Sequence, residues 1–147
     1  MSRDKDHRRA HSAATAATLS AWAHDSSSST RWWPARDERT PPEALEHLVE
    51  EGGENIRWEV ADNPAAPLTL LRRLAQDASW RVRLAVVYNP SVPPEALVQL
   101  LADPHDLVRG AALWRCQHDD RLPAEVRMMA TIAGLGGTMT GQAKEVQ

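Results

Sequence analysis

The feature that most constrains this chain is a repeat. Residues 63–77, NPAAPLTLLRRLAQD, align position for position with residues 89–103, NPSVPPEALVQLLAD. The 26-residue offset holds across three copies without insertion. Pro41, Pro67 and Pro93 align, as do Leu45, Leu71 and Leu97, then Leu48, Leu74 and Leu100, then Glu51, Asp77 and Asp103. Farther on, Ile56, Val82 and Val108 are each followed by an arginine: Arg57, Arg83 and Arg109. A fixed period of this length is what an array of small supersecondary units leaves in a sequence.

Each unit reads as a longer helix and then a shorter one. Proline suits the first helical turn, where its missing amide would be unpaired anyway, so Pro93-Pro94-Glu95 is a natural start. Leu97, Leu100 and Leu101 then share a face. A break follows at Glu51-Gly52-Gly53, Asp77-Ala78-Ser79 or Asp103-Pro104. The second helix carries Val82, Ala85 and Val86 on one stripe, with Val108, Ala111 and Ala112 in the next copy. Asn63-Pro64 and Asn89-Pro90 end it, because a residue before proline is pushed out of the helical region. One such pair cannot bury its apolar faces, so neighbours must stack. The expected fold is all-α, a short helical solenoid of about three two-helix repeats over residues 41–133 with a degenerate C-terminal cap.

The ends of the array depart from the pattern. Glu59 stands where later copies have Ala85 and Ala111, which predicts that the outer face of the first unit meets solvent. Arg115-Cys116 replaces Asn-Pro, and LPAEVRMMATIAG reads as another first helix arriving about three residues late, a degenerate closing unit. Residues 1–40 read as mostly disordered, with a short helix at 12–23 that Ser12 would cap and whose apolar face is only Leu19 and Trp22. GLGGTMTGQAKEVQ, residues 134–147, reads as a flexible tail.

The string NPxxPxxxLxxLAxD followed by VRxxV resembles the variant leucine-rich repeat family, over roughly residues 40–133, with NPAAPLTLLRRLAQDASWRVRLAVV as the best copy. The resemblance implies a right-handed superhelix in which an α-helix alternates with a short 3₁₀ helix, in the style of HEAT repeats. Members of the family can carry an N-terminal iron-sulfur domain. The region before these repeats has no cysteine, so no cluster is carried over and no cofactor is expected.

Cys116 is the one cysteine, which rules out an internal disulfide and any cysteine cluster for zinc or iron-sulfur, and fits a reducing, cytoplasmic setting. Fifteen of the 17 basic residues are arginine, pointing with the abundant alanine to GC-rich, bacterial coding. No apolar run approaches a membrane span. AATAATLSAWA, after a basic start, is too polar for the apolar region of a secretory signal.

Residues 34–133 hold eleven arginines against sixteen acids, which opposes a dominant phosphate-binding surface. The distribution is uneven, with seven acids and one arginine in 41–62 but four arginines and one acid in 63–88. Such poles favour head-to-tail self-association or an acidic protein partner.

Six of the seven aromatic residues are tryptophan. Trp80 aligns with Glu54 and Asp106, surface-type residues, and could anchor a partner with Arg81, Arg83, Arg72 and Arg73; packing against a neighbouring loop is the alternative, and both stay open. The recurring pairs Glu51–Arg57, Asp77–Arg83 and Asp103–Arg109 read as a structural ladder that bridges helices, in preference to a docking ladder. Trp58, Tyr88 and Trp114 read as core or rim packing. Trp32 and Trp33 read as a cap on the first repeat, with a partner-binding motif as runner-up. Cys116, His118, Asp119 and Asp120 lack a metal-site spacing and read as a polar turn; His47 and His105 read as isolated and solvent-facing. The expected function is a non-catalytic protein-interaction or scaffold module, with nucleic-acid binding through the Trp80 and arginine patch as the alternative.

Overall fold

The computed structural model describes residues 13–141, with side chains through residue 134. Ser12 therefore lies outside the described residues, as does the end of the expected tail from residue 142. Among the described residues the chain is all-α, with no strand: α1 Ala16–Ala23, α2 Ser28–Arg36, α3 Pro42–Glu51, α4 Glu54–Asp62, α5 Leu68–Leu74, α6 Trp80–Tyr88, α7 Pro94–Leu100, α8 Asp106–His118 and α9 Ala124–Gly141.

The helix starts carry the period. Ala16, Pro42, Leu68 and Pro94 open the first helix of each pair, and Ser28, Glu54, Trp80 and Asp106 open the second. The repeat therefore begins one unit earlier than the prolines suggest, and residues 16–36 are a helix pair where disorder is expected. Leu19, in the column of Leu45, Leu71 and Leu97, is fully buried like all three. Thr15 occupies the column of Pro41 and caps α1, its hydroxyl accepting from the Thr18 amide at 3.3 Å, which pairs one of the amides a helix start leaves open. The apolar face that looks thin from Leu19 and Trp22 is completed by Ala23, which is also fully buried.

The repeat differs from expectation in helix type and length. Second helices of nine to thirteen residues are α-helical, since sustained 3₁₀ geometry does not extend that far. They also exceed the seven-residue first helices α5 and α7. Those end early because the acids at 77 and 103 close a turn: the carboxylates accept from the amides of Ser79 (2.9 Å) and His105 (2.8 Å). Aspartate favours such turns because its short side chain reaches the amide two residues on. In α3 the acid is Glu51, and the helix runs ten residues to it. Gly52 follows because a Cβ there would collide with the Leu48 carbonyl oxygen.

By spatial proximity the chain divides into two compact units. One takes the described residues up to Leu70 together with Asn89–Ser91. Within it first helices pack on first (α1 on α3) and second on second (α2 on α4), around Leu19, Leu45, Leu48 and Val60. The other holds Leu71–Tyr88 and the described residues from Val92 onward; α6 packs on α8, and α9 closes against α7 and α8, around Val82, Leu97, Val108 and Ala130. Without a proline at 116, α8 continues to His118, which is why α9 arrives late. That helix persists through Gly141, across residues expected to begin a tail. Propagation costs little once a helix is nucleated, and Gly134 lies close enough for an added Cβ to touch Leu113 at 3.6 Å.

Candidate interaction surface

Two aligned positions of the repeat carry polar side chains on its buried side, and they decide which side chains remain for function. At the first, an arginine reaches back to backbone carbonyls. Arg83 Nη1 donates to Asp77 O at 2.7 Å, Arg109 Nη1 to Asp103 O at 2.7 Å, and Arg57 Nη1 to Gly52 O at 3.2 Å. Arg31 does the same to Asp25 O at 2.7 Å, a rung preceding those legible from the prolines. Arg83 also clasps the next acid, with Nε to Asp103 Oδ2 at 2.6 Å and Nη2 to Asp103 Oδ1 at 2.9 Å, the two-pronged geometry that makes guanidinium–carboxylate pairs strong. Burial alone would raise the Asp103 pKa; the hydrogen bonds from Arg83 and the His105 amide outweigh it and leave the carboxyl below its ordinary value. Arg109 pairs instead with Asp106.

The second position is held by Asn63 and Asn89, which the sequence presents only as helix stops. Both are buried. Asn63 Nδ2 donates to Ala35 O (2.9 Å) and Asp37 O (3.0 Å), while its Oδ1 accepts from the Ala65 amide (2.9 Å). Asn89 repeats this with Ala61 O (2.8 Å), Asn63 O (2.8 Å) and the Ser91 amide (2.7 Å). Asp37 and Arg115 align with them, one period before and one period after. Asp37 accepts from the Arg39 amide, and Arg115 donates to Val87 O.

These contacts withdraw Arg83 from the patch expected around Trp80, since its side chain is only 11% exposed. Trp80 itself is half-buried, its ring stacked on His105 at 4.3 Å and 8°, with the Arg81 guanidinium 5.7 Å from its centroid. At that distance the cation is still drawn to the ring face. His105 is therefore not an isolated surface histidine. His47 is not isolated either, because its ring stacks on His24 at 4.0 Å. Arg72, Arg73 and Arg81 are exposed, Arg72 within 3.6 Å of Glu95.

Glu59 does not face solvent, because α2 covers it. Trp32 Nε1 donates to its Oε1 at 2.7 Å, Arg36 lies 3.3 Å from its Oε2, and the Arg36 guanidinium sits over the Trp32 ring at 4.4 Å. Burial raises the Glu59 pKa against the pull of those partners. Trp32 and Trp33, edge to face at 5.1 Å, thus belong to the second helix of a preceding repeat and are not a separate cap. They line a 570 Å³ pocket with Ser28, Ser29, Arg31 and Asn55.

Tyr88 and Trp114 lie one period apart on α6 and α8, and each is 60% exposed, contrary to the packing role expected of them. The core stripe explains this for Tyr88: it turns inward through Val86 and Val87, leaving the next residue outside. Trp114 stacks on His118 at 4.7 Å. Trp58 is 39% exposed. In the CQHDD turn, Cys116 is buried and burial raises its thiol pKa, while Asp119 is held at about 2 by its hydrogen bonds with Arg121.

Residues 80–105, from the start of α6 to the turn before α8, match the model of a family described as leucine rich repeat variant. No curated protein and no solved structure matches the chain. The matched stretch is one period long, and its helix, turn and helix are those of the repeat observed here, so the likeness to that family is shown for this one period.

Proposed function

We propose that this is a non-catalytic protein-interaction module whose contact surface is carried by the second helices near their C-terminal ends. One observation carries the reading: Tyr88 and Trp114, one period apart, are both 60% exposed above a buried core. Large exposed aromatics are enriched at interface centres, where they supply area at low entropic cost. The exposed arginines Arg72, Arg73 and Arg81 provide a second edge, which favours an acidic partner. A nucleic-acid platform on Trp80 is less well supported, because one ring face is taken by His105 and acids outnumber arginines over residues 34–133.

Aromatic photo-crosslinking amino acids placed separately at 88 and at 81, in cells expressing the protein, test this reading. A discrete adduct from position 88, abolished when Trp114 is also changed to Ala, supports it. Silence at both positions would overturn it. Self-association between the acidic and arginine-bearing stretches is the partner reading that charge favours next, and sedimentation velocity across a salt series checks it.

A further inference from the structure

At the arginine position of the repeat, Arg31 makes only part of the contacts that Arg83 makes. Arg83 uses Nη1 for the carbonyls of its own turn, Asp77 O at 2.7 Å and Ala78 O at 3.2 Å, and uses Nε and Nη2 to clasp the carboxylate twenty residues ahead, Asp103. Arg31 repeats the first half, with Nη1 on Asp25 O at 2.7 Å and Ser26 O at 3.1 Å. The second half is missing: Arg31 Nε is buried with no hydrogen-bond partner. Twenty residues ahead stands Glu51, and it is exposed.

The cause is one methylene. Asp25, Asp77 and Asp103 each fold back onto the amide two residues on (Ser27 at 2.7 Å, Ser79 at 2.9 Å, His105 at 2.8 Å), a turn that fixes the carboxylate. Glutamate is too long for that turn, and Glu51 remains the last residue of α3. A buried guanidinium nitrogen without an acceptor is costly. Arg31 lines the 570 Å³ pocket together with Trp32, Trp33, Ser28, Ser29 and Asn55.

We infer that this pocket binds a carboxylate from a partner, an aspartate side chain on an extended peptide, which completes on Arg31 the clasp that Asp103 completes on Arg83. The volume is that of a small-ligand site, and the two indoles offer apolar surface to the residues flanking the acid. The site shares no residue with the Tyr88 and Trp114 surface, so either can fail alone.

The test is titration of the full chain with Ac-Leu-Asp-Leu-NH₂, Ac-Leu-Asn-Leu-NH₂ and acetate, read on the Arg31 Nε–H resonance and tryptophan emission. The aspartate peptide should shift the resonance saturably, about tenfold or more tightly than either the asparagine peptide or acetate. In Glu51→Asp, which should restore the turn and place the chain's own carboxylate on Arg31, the resonance should already be shifted and the peptide should bind about tenfold more weakly. Equal response to the aspartate and asparagine peptides would overturn the inference. Acetate binding as tightly as the peptide would overturn the peptide assignment. A resonance in the unmodified chain that moves on Glu51→Gln would show the slot filled by Glu51, and would also overturn it.

Discussion

The side-chain amide of Asn89 donates to the backbone carbonyl of Asn63, 26 residues earlier, at 2.8 Å, while Asn63 donates to Asp37 O at 3.0 Å, again 26 residues back. The residue that ends each helix pair thereby also reaches back one period to a backbone carbonyl. Each of these asparagines satisfies two buried carbonyls and one amide, groups that would otherwise be stranded away from water. Asn89→Ala should cost about 2–4 kcal/mol, the range for leaving several buried polar groups unpaired, read as a lower urea midpoint at unchanged slope. Asn89→Asp keeps the acceptor for Ser91 but sets a carboxylate against two carbonyls. It should be worse than alanine at pH 7 and recover as the pH falls.

Acid dependence should divide by residue. Asp119, held at about 2 from an ordinary 3.8, contributes stability above its unfolded pKa that is lost as pH falls through the folded value. The Arg121 side chain that holds it is 71% exposed. Solvent screening therefore keeps the contribution below about 1 kcal/mol, and Asp119→Asn should flatten the acid limb between about pH 4 and 2. Asp103 acts with the same sign through Arg83. Glu59 has the opposite sign: its raised folded pKa gives a contribution present at low pH and lost as pH rises through that value. Glu59→Gln keeps an acceptor for Trp32 Nε1, so it should remove this loss and leave the neutral-pH midpoint unchanged or higher. Urea midpoints from pH 2 to 7 check both signs.

Two tryptophans should differ in what their loss costs. Trp80 stacks on His105 and is half-buried. Trp80→Ala should therefore destabilise by about 1–2 kcal/mol through lost packing. Trp114 is 60% exposed. Trp114→Ala should stay within about 0.5 kcal/mol of the parent in stability while abolishing the crosslink from position 88. A thermal melt of each variant separates a packing role from a contact role.

The helix pairs from Pro41 onward are legible because proline starts and leucine columns recur there in one register. The pair at 16–36 is not, although Leu19, Asp25 and Arg31 sit in the leucine, acid and arginine columns. Thr15 replaces the proline that marks later starts, and a threonine cap leaves no comparable punctuation. Without that pair, Glu59 reads as a solvent-facing end. The asparagine contacts are hidden for another reason: Asn-Pro is sufficient to stop a helix, and nothing in the dipeptide reveals that its amide is buried against carbonyls one period away. At Trp80 the alignment with Glu54 and Asp106 implies surface, but the covering ring comes from His105, one position before the aligned residue.

Truncation tests the added pair most directly. Removing residues 1–37 would strip α1 and α2, take Ala35 O and Asp37 O away from Asn63, and uncover Glu59 and the core residues Leu45 and Val60. If 16–36 were a dispensable arm, the truncated chain would keep its urea midpoint and slope. As the first pair in a stack of repeats, its loss removes an interface along with intrinsic helix stability. Both the midpoint and the slope should therefore fall, the slope because less surface is left to expose. Limited proteolysis of the full chain should agree, with Arg31, Arg36 and Arg39 resisting trypsin at enzyme levels that cleave an unfolded segment within minutes.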